Sequence, residues 1–142
     1  MSLAKLNYIE QEDIKGCGLA CIAMLTFNSY QNVKDTYVNL FMKDINEAGI
    51  YLDEELALLS YLGYRDSIIQ YAGVCSLHQG RTFLLCVPSL NYPDIIHRII
   101  VQTPLDINNP RIVYDPSPNK KYTDLPEVWF DVIEVVHGEI NE

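Results

Sequence analysis

The hydrophobic period of this chain changes once, from helical to strand-like, and that change limits the fold more than any other feature. Residues 17–29 read as a largely buried helix, with Cys17, Cys21, Met24 and Asn28 on one stripe and Ile22, Leu25 and Ser29 on another. Residues 32–41 suit a second helix, with Val33, Tyr37, Leu40 and Phe41 on one face. Residues 52–64 suit a third, buried along Leu52, Leu56, Leu59 and Leu62. Its first turn carries Asp53, Glu54 and Glu55, where the helix dipole favours carboxylates, and Gly63 stops it. Beyond this point residues 67–71, 82–87, 95–102, 111–114 and 128–136 form short β-branched or aromatic runs. Turn-forming clusters such as Asn91-Tyr92-Pro93-Asp94 separate them. Helices first and strands afterwards predict an α+β domain, its N-terminal helices packed on a C-terminal, largely antiparallel sheet. With no internal repeat, linker or low-complexity segment, residues 1–142 are expected to form one domain.

Composition narrows the function classes. An apolar fraction of 49% beside 20% charged residues excludes intrinsic disorder. Ten Lys and Arg stand against 19 Asp and Glu, a net charge of −9. Such a surface is repelled by nucleic-acid backbones, whose binding is driven by cationic counterion release, and by anionic membranes. The start of the chain lacks the apolar stretch of a signal peptide. Its longest apolar run, residues 18–25, is far short of the roughly 20 residues a membrane span needs. Four cysteines at irregular spacing do not make a disulfide framework, and no C-x-x-C pair marks a zinc site. Free thiols in the cytoplasm, without metal or cofactor, are the expectation.

Four residues carry potential chemistry. Cys17, between Gly16 and Gly18, falls at the predicted start of the first helix, where unpaired N–H groups and the dipole stabilise an anion, and Lys15 is close by. His97 alternates onto the apolar face with Ile99 and Val101, opposite Arg98. Asp115 ends the next run, on the face of Val113. A hairpin across residues 103–110 would bring His97 and Asp115 together at one end of the sheet. Gln11, six residues before Cys17, offers an amide that can donate to an oxyanion. Each residue alone has a commonplace reading: a buried thiol, a core imidazole, an Asp-Pro turn, a surface amide. Cys21, Cys75 and Cys86 read as buried thiols, His78 as a turn residue and His137 as part of a frayed end.

Taken together, Gln11 and Cys17-Gly18 at a helix start, His97 on a strand and Asp115-Pro116 on the next resemble a papain-like cysteine peptidase. More narrowly, the chain resembles the bacteriocin-processing, double-glycine leader peptidases and their stand-alone relatives. The likeness rests on the block from Gln11 to Met24, the His97-Arg98-Ile99-Ile100-Val101 strand, Val113-Tyr114-Asp115-Pro116 and the 52–63 helix, so it covers most of the chain. The resemblance implies a papain-like fold with Cys17 as nucleophile, His97 as general base and acid, Asp115 as orienter and Gln11 as oxyanion donor. It also implies a peptide or protein substrate cut after Gly-Gly, in a narrow channel that Leu19, Tyr92 and Tyr114 are placed to wall. The chain departs from the family at Gly16, where an acidic residue is usual, at Arg98, where an aromatic or aliphatic is usual, and at Asn119, where glycine is common. Two other readings use the same residues: a papain-fold deamidase or acyltransferase, and a non-catalytic peptide-binding relative.

Overall fold

The computed structural model describes residues 3–64, 68–71 and 77–135, with residues 68–71 as backbone only. Cys75 and His137 lie outside the described residues.

Helix α1 (Cys17–Thr26) is the centre of the molecule. It has no charged side chain, and every residue from Gly18 to Leu25 is buried, as expected of a helix apolar on all sides. It ends earlier than the sequence suggests. Phe27 adopts the left-handed conformation (φ 56°), and its N–H turns back to Ala23 and Met24 carbonyls. Asn28 and Ser29 therefore belong to the next unit. Ser29 caps helix α2 (Tyr30–Phe41), its Oγ accepting from the Asn32 N–H at 3.1 Å. Helix α3 (Ile45–Ala48) is one turn capped by Asp44 and was not expected from the sequence, since four residues are too few to show a period. Helix α4 (Leu52–Tyr61) begins where Glu54 Oε1 accepts from the Tyr51 N–H at 3.0 Å.

Among the described residues, strands β1 (Ile68–Tyr71), β2 (Arg81–Pro88), β3 (Ile96–Thr103), β4 (Ile112–Tyr114) and β5 (Asp131–Val135) form one sheet in the order β1-β5-β2-β3-β4. Every pair is antiparallel, so the expected α+β architecture is the observed one. Strand β5 starts at Asp131 rather than Val128. Both faces of the sheet are covered. Leu84, Ile100 and Ile133 pack under α1. Phe83, Leu85, Val87, Ile99 and Val101 pack under Tyr122, Leu125 and Trp129 from the loops. Burial on both faces explains Arg98, which alternation sets opposite the apolar face of His97 but which is itself buried, on the helix side.

The segment ahead of α1 straps this assembly. Gln102 Nε2 donates to the Ala4 carbonyl at 2.7 Å, the Leu6 N–H to Tyr114 Oη at 3.3 Å, and the Gln11 N–H to the Pro116 carbonyl at 2.9 Å. No helix among the described residues is long and apolar enough to cross a membrane.

Candidate active site

Cys17 is the first residue of α1 and is half-buried. The first helical hydrogen bond runs from the Ala20 N–H to the Gly16 carbonyl at 3.0 Å, so the N–H groups of Cys17, Gly18 and Leu19 precede the helical ladder. The loop leading into it is organised by Asp13. Its carboxylate accepts from the Tyr30 hydroxyl at 2.6 Å, Lys34 Nζ at 3.0 Å and Asn46 Nδ2 at 3.1 Å, which ties the loop to α2 and α3. Burial pushes the Asp13 carboxyl up, and these three donors outweigh it to leave the group below its ordinary value.

His97 is the second residue of β3, and Asp115 directly follows β4. Tyr114 pairs with Ile100 in the β3–β4 ladder, and one further step places Asp115 beside Ile99, diagonal to His97 on the same face. The hairpin expected from the sequence thus brings the two together: His97 Nε2 donates to Asp115 Oδ1 at 2.6 Å. Both are nearly inaccessible, at 9% and 3% exposure. The carboxylate also accepts the Ser117 N–H at 2.9 Å on Oδ1 and the Tyr122 N–H at 2.8 Å on Oδ2, and the Asp115 carbonyl takes the Tyr8 hydroxyl at 2.7 Å. Three donors on one carboxylate fix its orientation and hold it below the ordinary range against the opposing effect of burial.

Cys17 also acts on the imidazole and favours its charged form. Burial works against a charged ring. Asp115 and Cys17 overcome it and raise His97 from 6.5 to about 9. Cys17, His97 and Asp115, set apart along the sequence, are thus brought to one place: His97 is bonded to Asp115 and shares a cleft with Cys17.

Gln11 lines the same cleft but is used differently from the expectation. Its Nε2 donates to the Asp13 carbonyl at 3.0 Å and the Ile14 carbonyl at 2.9 Å, committing both amide protons to its own loop. Its Oε1 is buried with no hydrogen-bond partner among the described residues. In this geometry Gln11 shapes the loop before α1 and does not present a donor to an oxyanion. Lys15 is likewise engaged elsewhere, donating to the Glu47 carbonyl at 3.0 Å.

A cleft of about 670 Å³ opens over Cys17 and His97. Residues 11–15 and 48–50 line it together with residues 89–98 and 117–119, among which Leu90 and Pro93 do not contribute. Asn91 joins two of these segments, donating to Ser117 Oγ at 2.9 Å and the Lys120 carbonyl at 3.0 Å. The exposed side chains of Ile14, Tyr92, Ile95 and Ile96 give the cleft an apolar rim. Of the three residues expected to wall a channel, Tyr92 lines this cleft. Leu19 is fully buried in the core, and Tyr114 turns away toward Leu6 and Gln102.

The remaining cysteines are as expected where they are described. Cys21 and Cys86 are buried, and burial raises both thiols, Cys86 to about 12. His78 is exposed, with its carbonyl bonded to Thr103 Oγ1 at 2.6 Å, and does not line the cleft. Among the described residues no three His, Cys, Asp or Glu side chains converge on a point that would hold a metal ion. Sequence reasoning missed Asp13, Tyr8 and Glu55, whose parts depend on partners distant in the chain.

An imidazole bonded to a carboxylate, in one cleft with a thiol at a helix start, has the parts of an activated nucleophile: a thiol, a base to take its proton, and an anion that holds the base in one tautomer. No protein-family model matches the chain, and none of the curated proteins matches it.

Proposed function

We infer that the protein is a papain-like cysteine peptidase of cytoplasmic peptides or proteins, related in architecture to the double-glycine leader peptidases, with Cys17 as nucleophile. The observation that carries this reading is the His97–Asp115 pair in one open cleft with Cys17 at the start of α1. The Cys17 thiolate attacks the scissile carbonyl carbon. A C–S bond forms and the carbonyl π pair moves onto oxygen, where the N–H groups at the start of α1 stabilise it. Collapse breaks the C–N bond, and the His97 imidazolium gives its proton to the leaving amine. Water then attacks the thioester as His97 takes its proton, and Cys17 leaves as thiolate. Asp115 keeps Nε2 protonated and the ring aimed throughout. Because Gln11 is committed to its loop, the oxyanion donors in this reading are backbone groups.

A deamidase or acyltransferase shares every step to the thioester and differs in what is released and what resolves it. A domain that only binds peptides has no need of an aligned proton relay. The test is a peptide panel varying the residue before the scissile bond, with products read by mass. Cleavage after Gly-Gly or Gly-Ala in preference to Leu, lost in Cys17→Ala and His97→Ala, is the expected result. Ammonia release from glutamine without chain cleavage would replace hydrolysis by deamidation, and binding without turnover would leave a peptide-binding module.

A further inference from the structure

Beneath α1 lies a buried ion pair that the chemistry above does not use. Arg98, the neighbour of His97, points to the opposite face of β3. There its Nε donates to Glu55 Oε2 at 2.8 Å, with the Glu55 side chain fully buried and that of Arg98 only 6% exposed. Glu55 stands in the first turn of α4, so the expectation that it serves mainly the helix dipole is replaced by a contact with the sheet.

The pair touches the first turn of α1. A Cβ on Gly18, next to Cys17, would lie 3.1 Å from Glu55 Oε2 and 3.8 Å from Arg98 Cγ, and would collide with Ile50 Cγ2. Glycine is what lets the helix settle this low. One turn later Cys21 Sγ donates to the Arg98 carbonyl at 3.5 Å. Cys86 on β2 and Asp131 on β5 share the row of Arg98 across the sheet and act on it electrostatically, while Asp131 and Glu54 act on Glu55. Glu55 Oε1 is buried without a hydrogen-bond partner among the described residues.

Stability does not account for such a pair. Desolvating two charges costs as much as or more than their attraction returns, and apolar residues of similar volume commonly do as well or better. A charged, directional bond instead fixes geometry. We propose that the Glu55–Arg98 pair is a positioning device for the nucleophile: it locks α4 to β3 one residue from His97 and gives the first turn of α1 a fixed seat, which holds the Cys17 thiol against the imidazole. This rests on the reading of Cys17 and His97 as a working pair.

The test reads that pair without needing a substrate. The rate of Cys17 alkylation by iodoacetamide is followed by mass from mildly acidic to mildly alkaline pH, in the full chain and in variants whose folding is checked by circular dichroism and Tm. The wild-type chain should react at acidic pH, as a thiolate held beside an imidazolium does. The Glu55→Leu/Arg98→Met double variant should fold with Tm equal or higher, yet lose about tenfold or more in the acidic rate while its alkaline rate is kept. Glu55→Gln, which keeps shape and an acceptor, should fall between, and it decides the matter if the double variant does not fold. Folded variants with the wild-type profile overturn the proposal and leave the peptidase reading standing. A wild-type chain without the acidic rate removes both.

Discussion

The Tyr30 hydroxyl occupies the space that a Cβ on Gly16 would fill, and from there it donates to Asp13 Oδ2 at 2.6 Å. The absence of a side chain before the nucleophile is thus matched by an acidic hub three residues earlier, reached through α2. Gly16→Ala should force Tyr30 aside and break this hub, costing about 1–3 kcal/mol as overpacking does. Tyr30→Phe in the same chain should relieve part of the loss, since the next contact, with the Tyr30 Cζ, is at 3.1 Å. Denaturant unfolding of the two single variants and the double measures the coupling, and strictly additive losses would contradict the steric account.

A second expectation concerns pH. His97 is raised from 6.5 to about 9, against burial, by Asp115 and Cys17. The imidazolium persists to that value, so kcat/KM should show an alkaline limb near 9. The raised value also sets the sign for stability: the contribution of this pairing is complete below 6.5 and is lost as pH rises to about 9. Asp115→Asn should move the alkaline limb down and lower kcat by about 10²-fold or more through a misdirected ring. A limb left in place by that substitution would show that Asp115 does not govern the imidazole.

Gln11 separates two roles. If it organises its loop, Gln11→Ala should lower kcat by about tenfold at most, whereas removal of an oxyanion donor costs roughly 10²–10³. Steady-state kinetics of this single variant decides between them.

The thiols should differ sharply in reactivity. Burial raises Cys86 to about 12 and Cys21 well above its ordinary value, whereas Cys17 is half-buried and opens on the cleft that His97 also lines. Limited alkylation at mildly acidic pH followed by peptide mapping should find label on Cys17 long before either of them. Label appearing first on Cys86 would count against the site.

The parts of this architecture that were legible in the sequence are those written in local period and turn chemistry. The switch from helical to strand spacing, the start of α1 at Cys17 and the β3–β4 hairpin all follow from neighbours in the chain. Alternation also put His97 and Asp115 on one face, and they meet there. Alternation also put Arg98 on the opposite face, where it lies, but it labels faces without saying which is wet, and here neither is. Glu55 was misjudged for a related reason: first-turn carboxylates usually face water, and its partner lies 43 residues away. The direction of the Gln11 amide depends on the Asp13 and Ile14 carbonyls, which no spacing rule reports.

The strap ahead of α1 has a consequence for when the molecule acquires its chemistry. Tyr8 reaches the Asp115 carbonyl across 107 residues and Leu6 reaches Tyr114 across 108, so the strap closes on this corner of the sheet only when segments far apart in the chain meet. Contacts of such separation must overcome the entropy of closing a long loop and form slowly. A growing chain that has already made α1 therefore carries Cys17 before His97 and Asp115 have been set beside it, so the site is among the last parts of the domain to be completed.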